Sequence, residues 1–266
     1  MGTMSERLAT WLDSPGLTWI PLVFLIVVFA LALLGFVVRN AIRGRPHSAR
    51  VGQAGGGSVL LGEYFMEYGL WVFGPVARVA TRMELHPDSL SWASLVLQIL
   101  AAVALSQGGF GLAGWLMLVG AACDSLDGSV ARARGMASDA GEVLDAVIDR
   151  WAEMAIFFGY AWYYRDFPLA FAFSVAACSG AVMVSYTRAK GEAMDVDARG
   201  GLMQRHERAV YLVSATVFSS LAEVVWPSPG RPLHLLVVAA LGLIALFGNL
   251  TGVRRTVFIR RELRKR

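Results

Sequence analysis

Seven apolar runs of about twenty residues each, most of them bounded by basic residues, limit this chain to a bundle of membrane-spanning helices. A lipid-exposed segment must satisfy its own backbone hydrogen bonds, so each run reads as a helix. Composition agrees: 56% of the 266 residues are hydrophobic, 17% are charged, and the mean hydropathy is +0.54. The net charge of +4 reflects basic residues gathered at span ends, which points to membrane topology rather than to nucleic acid. Cys123 and Cys178 both lie in apolar runs and imply no disulfide framework.

Leu17 to Val38 reads as the first span, too long for a signal-peptide core. A basic linker over 39–62 follows, with Arg39, Arg43, Arg45, Arg50 and then Gly55-Gly56-Gly57-Ser58. The resulting division is an extension over 1–38, the linker over 39–62, a main domain over 63–253 and a basic tail over 254–266 that suits anionic headgroups. Aromatic and charged residues mix over 63–84, which predicts a helix lying along the interface. Six further spans are expected at 89–107, 112–133, 141–163, 167–189, 208–226 and 232–252. The positive-inside rule places the N-terminus outside and the C-terminus inside, in an inner or plasma membrane, with Arg132, Arg134, Arg188, Lys190, Arg205 and Arg208 facing the cytoplasm. Trp162, Tyr163, Tyr164 and Trp226 are expected at the outer interface, and His234 likewise.

Asp124, Asp127, Asp145 and Asp149 break the apolar pattern. A carboxylate in lipid is costly, so four of them require a reason. Helical spacing puts Asp124, Asp127, Gly128 and Ala131 on one stripe, and Gly141, Asp145, Asp149 and Glu153 on another. The short connection predicts that the two helices are antiparallel neighbours with facing stripes. Converging carboxylates repel, and divalent cations relieve that repulsion. An oxygen-only set points to Mg²⁺ or Mn²⁺, and two such ions can clamp a phosphoryl group. Gly128, Ala131 and Gly141 leave room for a bulky group, and Arg132 offers a fork for phosphate oxygens. Glu153 reads either as support for the aspartates or as a packing acid. An ion pathway through the membrane is the competing reading of buried acids, but it does not require small residues at fixed spacing.

The spacing Asp-x2-Asp-Gly-x2-Ala-Arg-x8-Gly-x3-Asp-x3-Asp, from Asp124 to Asp149, resembles the motif of the CDP-alcohol phosphotransferases at every position. The wider resemblance covers roughly 63–252 and implies an all-α integral membrane fold. That fold is a six-helix core with an interfacial amphipathic helix, here joined by one additional N-terminal transmembrane helix. It also implies an enzyme of phospholipid biosynthesis that moves a phosphatidyl group from CDP-diacylglycerol or a related CDP-lipid to an alcohol and releases CMP. By the same resemblance Asp124, Asp127, Asp145 and Asp149 hold the metals, and Asp149 is the general base. Asp124, Asp127, Gly128, Ala131, Arg132 and Gly141 border the cytidine diphosphate, and homodimer formation is implied.

The segments 185–192 and 204–208 are similar to the branch that uses inositol phosphate, and so is His86-Pro87-Asp88. They place Arg188, Lys190, Arg205 and Arg208 around one cytoplasmic mouth, suited to the phosphate of a phosphorylated polyol. Glycerol 3-phosphate or a non-phosphorylated alcohol are the alternatives within the same chemistry. A non-catalytic membrane scaffold is a further alternative, which the intact aspartates disfavour.

Overall fold

The computed structural model describes residues 15–44, 62–198 and 203–266, so most of the 39–62 linker lies outside the described residues. The described residues form eight long α-helices and a single 3₁₀ turn. They are α1 (Pro15–Arg43), α2 (Gly62–Arg82), α3 (Pro87–Ser106), α4 (Phe110–Ala133), α5 (Asp139–Tyr163), α6 (Pro168–Glu192), α7 (Arg205–Val225) and α8 (Leu235–Leu263), with the 3₁₀ turn over Tyr164–Asp166. Each expected span falls on one of them within a few residues, except that α8 continues eleven residues past the expected end at 252, carrying most of the basic tail as helix. Helices α3, α4, α6 and α8 are long and apolar enough to cross a membrane. Helices α5 and α7 carry the charges described below, and α1 is apolar over its described stretch Ala30–Ile42. The chain is an integral membrane protein.

The sequence punctuates these helices locally. Pro87 and Pro168 open α3 and α6, where a missing N–H costs nothing. Gly135 ends α4 at φ 66°, and the N–H of Met136 reaches back to the Ala131 carbonyl at 2.8 Å, a left-handed close that favours glycine. Ser138 then caps α5 by accepting from the Gly141 N–H at 3.2 Å. Gln204 and Glu207 form a capping box that starts α7.

Helix α3 packs along both α4 and α5, α6 packs along α8, and α7 joins α4 to α8. Helices α4 and α5 each pack far more against α3 than against each other, and their acidic stripes face each other as expected. Small residues set the crossings, as lipid-embedded helices require. A Cβ on Gly180 would stand 2.9 Å from the backbone nitrogen of Asn249, and one on Gly159 would stand 2.6 Å from the Ala102 carbonyl oxygen. Asn249 also donates across the α6–α8 crossing to the Ala176 carbonyl at 2.8 Å.

An aromatic cluster closes the end of the bundle away from the aspartates. Tyr163 and Tyr164 are buried rather than interfacial, because their hydroxyls donate to the carbonyls of Pro232 at 2.6 Å and Leu233 at 3.0 Å. His234 is buried as well, stacked on Phe110 with ring centroids 3.7 Å apart. Trp162 and Trp226 are exposed, at 60% and 76%. The N-terminal helix touches α2, α4 and α7, and Phe36 sits fully buried against Tyr68 and Trp71.

Candidate active site

The C-terminal turns of α4 and the first turns of α5 carry the acidic stripes to one end of the bundle. Carboxylate oxygens of Asp124, Asp127 and Asp145 lie within 4.8 Å of one another. Asp149, one turn deeper on α5, is 6% exposed and is joined to this group through Arg205. Nη2 of Arg205 contacts Asp124 Oδ1 at 3.0 Å and also donates to Asp149 Oδ1. Three oxygen donors at this separation, with no histidine imidazole among them, fit a hard divalent ion.

Two supports at the site escape a reading of the helical period. Ser91, in the second turn of α3, donates to Asp127 Oδ2 at 2.6 Å and fixes that carboxylate from a third helix. A serine in an apolar run, one turn after Pro87, is the only trace this contact leaves in the sequence. Arg134 donates to the carbonyls of Glu84 and Leu85 at 2.9 and 2.8 Å. It thereby ties the end of α4 to the turn before α3.

These ties shape a cavity of about 680 Å³ beside the aspartates. Its walls include His86, Ser91, Asp127, Gly128, Ala131, Arg132, Gly141 and Asp145. Five of the six residues expected to border a nucleotide diphosphate therefore line one space, and Asp124 stands outside its wall. Arg132 folds back over Gly128, where a Cβ would meet its Nη1 at 3.1 Å. The size suits a nucleotide-sized ligand.

The basic residues divide. Arg188 is half-exposed and pairs with Glu192 at 3.0 Å, and Lys190 is exposed in the last turn of α6. Arg205, 41% exposed, reaches the aspartates. Arg208, also expected at the mouth, is fully buried: its guanidinium donates to both carboxylate oxygens of Glu153, at 2.7 and 2.9 Å, and to the Met203 carbonyl at 2.8 Å. Glu153 is thus a packing acid paired with α7, and the pair holds α5 to α7 behind Asp149.

Fold and site together define an integral membrane transferase that uses a divalent metal. The chain belongs to the CDP-alcohol phosphatidyltransferase family, whose model matches residues 84–252. It is 32% identical over 206 residues to the phosphatidylinositol phosphate synthase of Cutibacterium acnes, an alignment that covers 75% of this chain and 97% of that one. The crystal structure of Mycobacterium tuberculosis phosphatidylinositol phosphate synthase with CDP-DAG bound superposes with a TM-score of 0.60 at 26% identity, over 70% of this chain and 92% of that one. The same enzyme in complex with manganese and citrate gives 0.61 at 26% identity, over 70% and 87%.

Proposed function

We propose that this protein transfers the phosphatidyl group of CDP-diacylglycerol to a hydroxyl of inositol phosphate and releases CMP. The observation that carries the reading is the convergence of Asp124, Asp127, Asp145 and Asp149 beside a nucleotide-sized cavity lined by Gly128, Ala131, Arg132 and Gly141. Similarity to phosphatidylinositol phosphate synthases along most of their length supports the choice of acceptor.

In this reading the four aspartates hold two divalent ions, Mg²⁺ or Mn²⁺. Bound there, the ions neutralise charge on the diphosphate and on the departing CMP. Asp149 takes the proton from the acceptor hydroxyl. The hydroxyl oxygen attacks the phosphorus nearer the lipid, and the bond from that phosphorus to the bridging oxygen breaks, so the electron pair leaves with CMP. Arg132 and the small residues beside it seat the cytidine diphosphate. Arg188, Lys190 and Arg205 receive the acceptor phosphate, with Arg208 behind them holding α7 in place. The domain over 63–253 carries the chemistry, and the basic tail over 254–266 lies on anionic headgroups. The site faces the cytoplasm, which supplies the polar acceptor.

CMP release by the purified protein with CDP-diacylglycerol and Mg²⁺ tests this, comparing inositol phosphate, glycerol 3-phosphate, inositol and serine. Release that depends on inositol phosphate is expected. Release with glycerol 3-phosphate alone would transfer the chain to phosphatidylglycerol phosphate synthesis, and release with none of them would refute catalysis on these acceptors.

A further inference from the structure

The two halves of the acidic site differ in what already neutralises them. Asp127 is held by Ser91, and together with Asp124 and Asp145 it offers convergent oxygens. Asp149 instead has its Oδ1 engaged by the guanidinium of Arg205, whose same nitrogen also contacts Asp124. Arg205 is 41% exposed and lies in the first turn of α7, so its side chain has a path outward, whereas Arg208 one turn on is fully buried and fixed.

From this asymmetry we infer that Arg205 is an internal cation that must leave Asp149 before a second divalent ion can use that carboxylate. The inference rests on the metal assignment above and adds an order to it. A first ion takes Asp127, Asp145 and the Asp124 oxygen that Arg205 does not bond, and it leaves the Arg205–Asp149 contact in place. A second ion on Asp149 displaces Arg205, because a guanidinium held between Asp124 and Asp149 would then face two dications on the same carboxylates. The displaced guanidinium swings to the side where Arg188 and Lys190 stand, and there it meets the acceptor phosphate. Loading of the second ion and completion of the acceptor site are then one event. A protein holding a single ion keeps Arg205 on Asp149, which lowers that carboxylate's power to take the acceptor proton.

Mn²⁺ binding to the purified full chain in detergent, read from the free-ion electron paramagnetic resonance signal, tests this without any substrate. The wild type is expected to show one tighter and one weaker class of site. Arg205→Ala should tighten the weaker class by about tenfold and move the tighter class by no more than about threefold. Arg205→Gln, which keeps a shorter, uncharged polar side chain, should do the same and covers the case in which the alanine variant is unstable. Added guanidinium ion should weaken the second class again in Arg205→Ala and leave the wild type unmoved. A second class that is unchanged or weaker in both variants overturns the inference, as does a single class common to all three proteins. Absence of Mn²⁺ binding in the wild type strikes the metal assignment itself. Unchanged affinities in the variants beside two intact classes in the wild type strike the gating role alone.

Discussion

Asp149 and Asn have nearly the same shape, and only the carboxylate can accept a proton at the acceptor hydroxyl. Asp149→Asn should lower CMP release by about 10²–10⁴-fold while the protein stays folded, since the amide keeps the shape and Arg205 keeps Asp124 as a partner. Activity near wild type would remove the assigned base. Glu153 and Arg208 obey a different logic. Arg208 is fully buried, so Glu153→Ala leaves a guanidinium uncompensated and should destabilise the protein by about 3–5 kcal/mol. The double variant Glu153→Leu with Arg208→Met should recover most of that loss, measured as thermal melting in detergent. No recovery would mean that the pair orients α7 rather than simply neutralising itself. The four aspartates were legible in the sequence because helical period alone puts them on two stripes. The partition of Arg205 from Arg208 was not. Which of two arginines three residues apart turns inward depends on the depth of Asp149 and Glu153 on another helix, and no local pattern encodes that.

At the scale of elements, the loop between α4 and α5 is where local chemistry decides the site. Gly135 and Ser138 stop one acidic helix and start the next within a few residues, which fixes the register between the two stripes. Ser138→Ala should cost about 1 kcal/mol of stability, from the lost cap. It should also raise the KM for the CDP-lipid more than it lowers kcat, because Ser138 lines the cavity and does not touch the aspartates. A fall in kcat at unchanged KM would contradict that placement. Helix ends could be read from the sequence to within a few residues, except at the C-terminal end of α8. The partner of each helix could not. The short loop brings the acidic stripes of α4 and α5 together, but no local pattern shows that α3 takes most of the packing of both, through contacts such as Gly159 on Ala102.

Across the whole molecule, the acidic site and the basic residues Arg132, Arg134, Arg188 and Lys190 gather at one end, and the tyrosine cluster seals the other. A reporter fused after Arg266 should therefore be active only in the cytoplasm, and one placed in the loop near Arg231 only outside. The reverse result would invert the proposed orientation. The places of the long helices among the described residues were readable mostly from apolar runs, because lipid imposes their length. The burial of Tyr163 and Tyr164 was not, because aromatic residues at a span end look the same whether they face headgroups or donate inward to a neighbouring loop.

The crossing of α6 and α8 has a consequence for how this sequence can drift. Most helix contacts tolerate a larger residue if a facing side chain shrinks. At Gly180 the obstacle to a methyl group includes the main chain of α8, at Asn249 and Gly248. No substitution elsewhere shortens a backbone. A saturation screen at position 180 should return glycine alone, and a search for second-site suppressors of Gly180→Ala should come back empty.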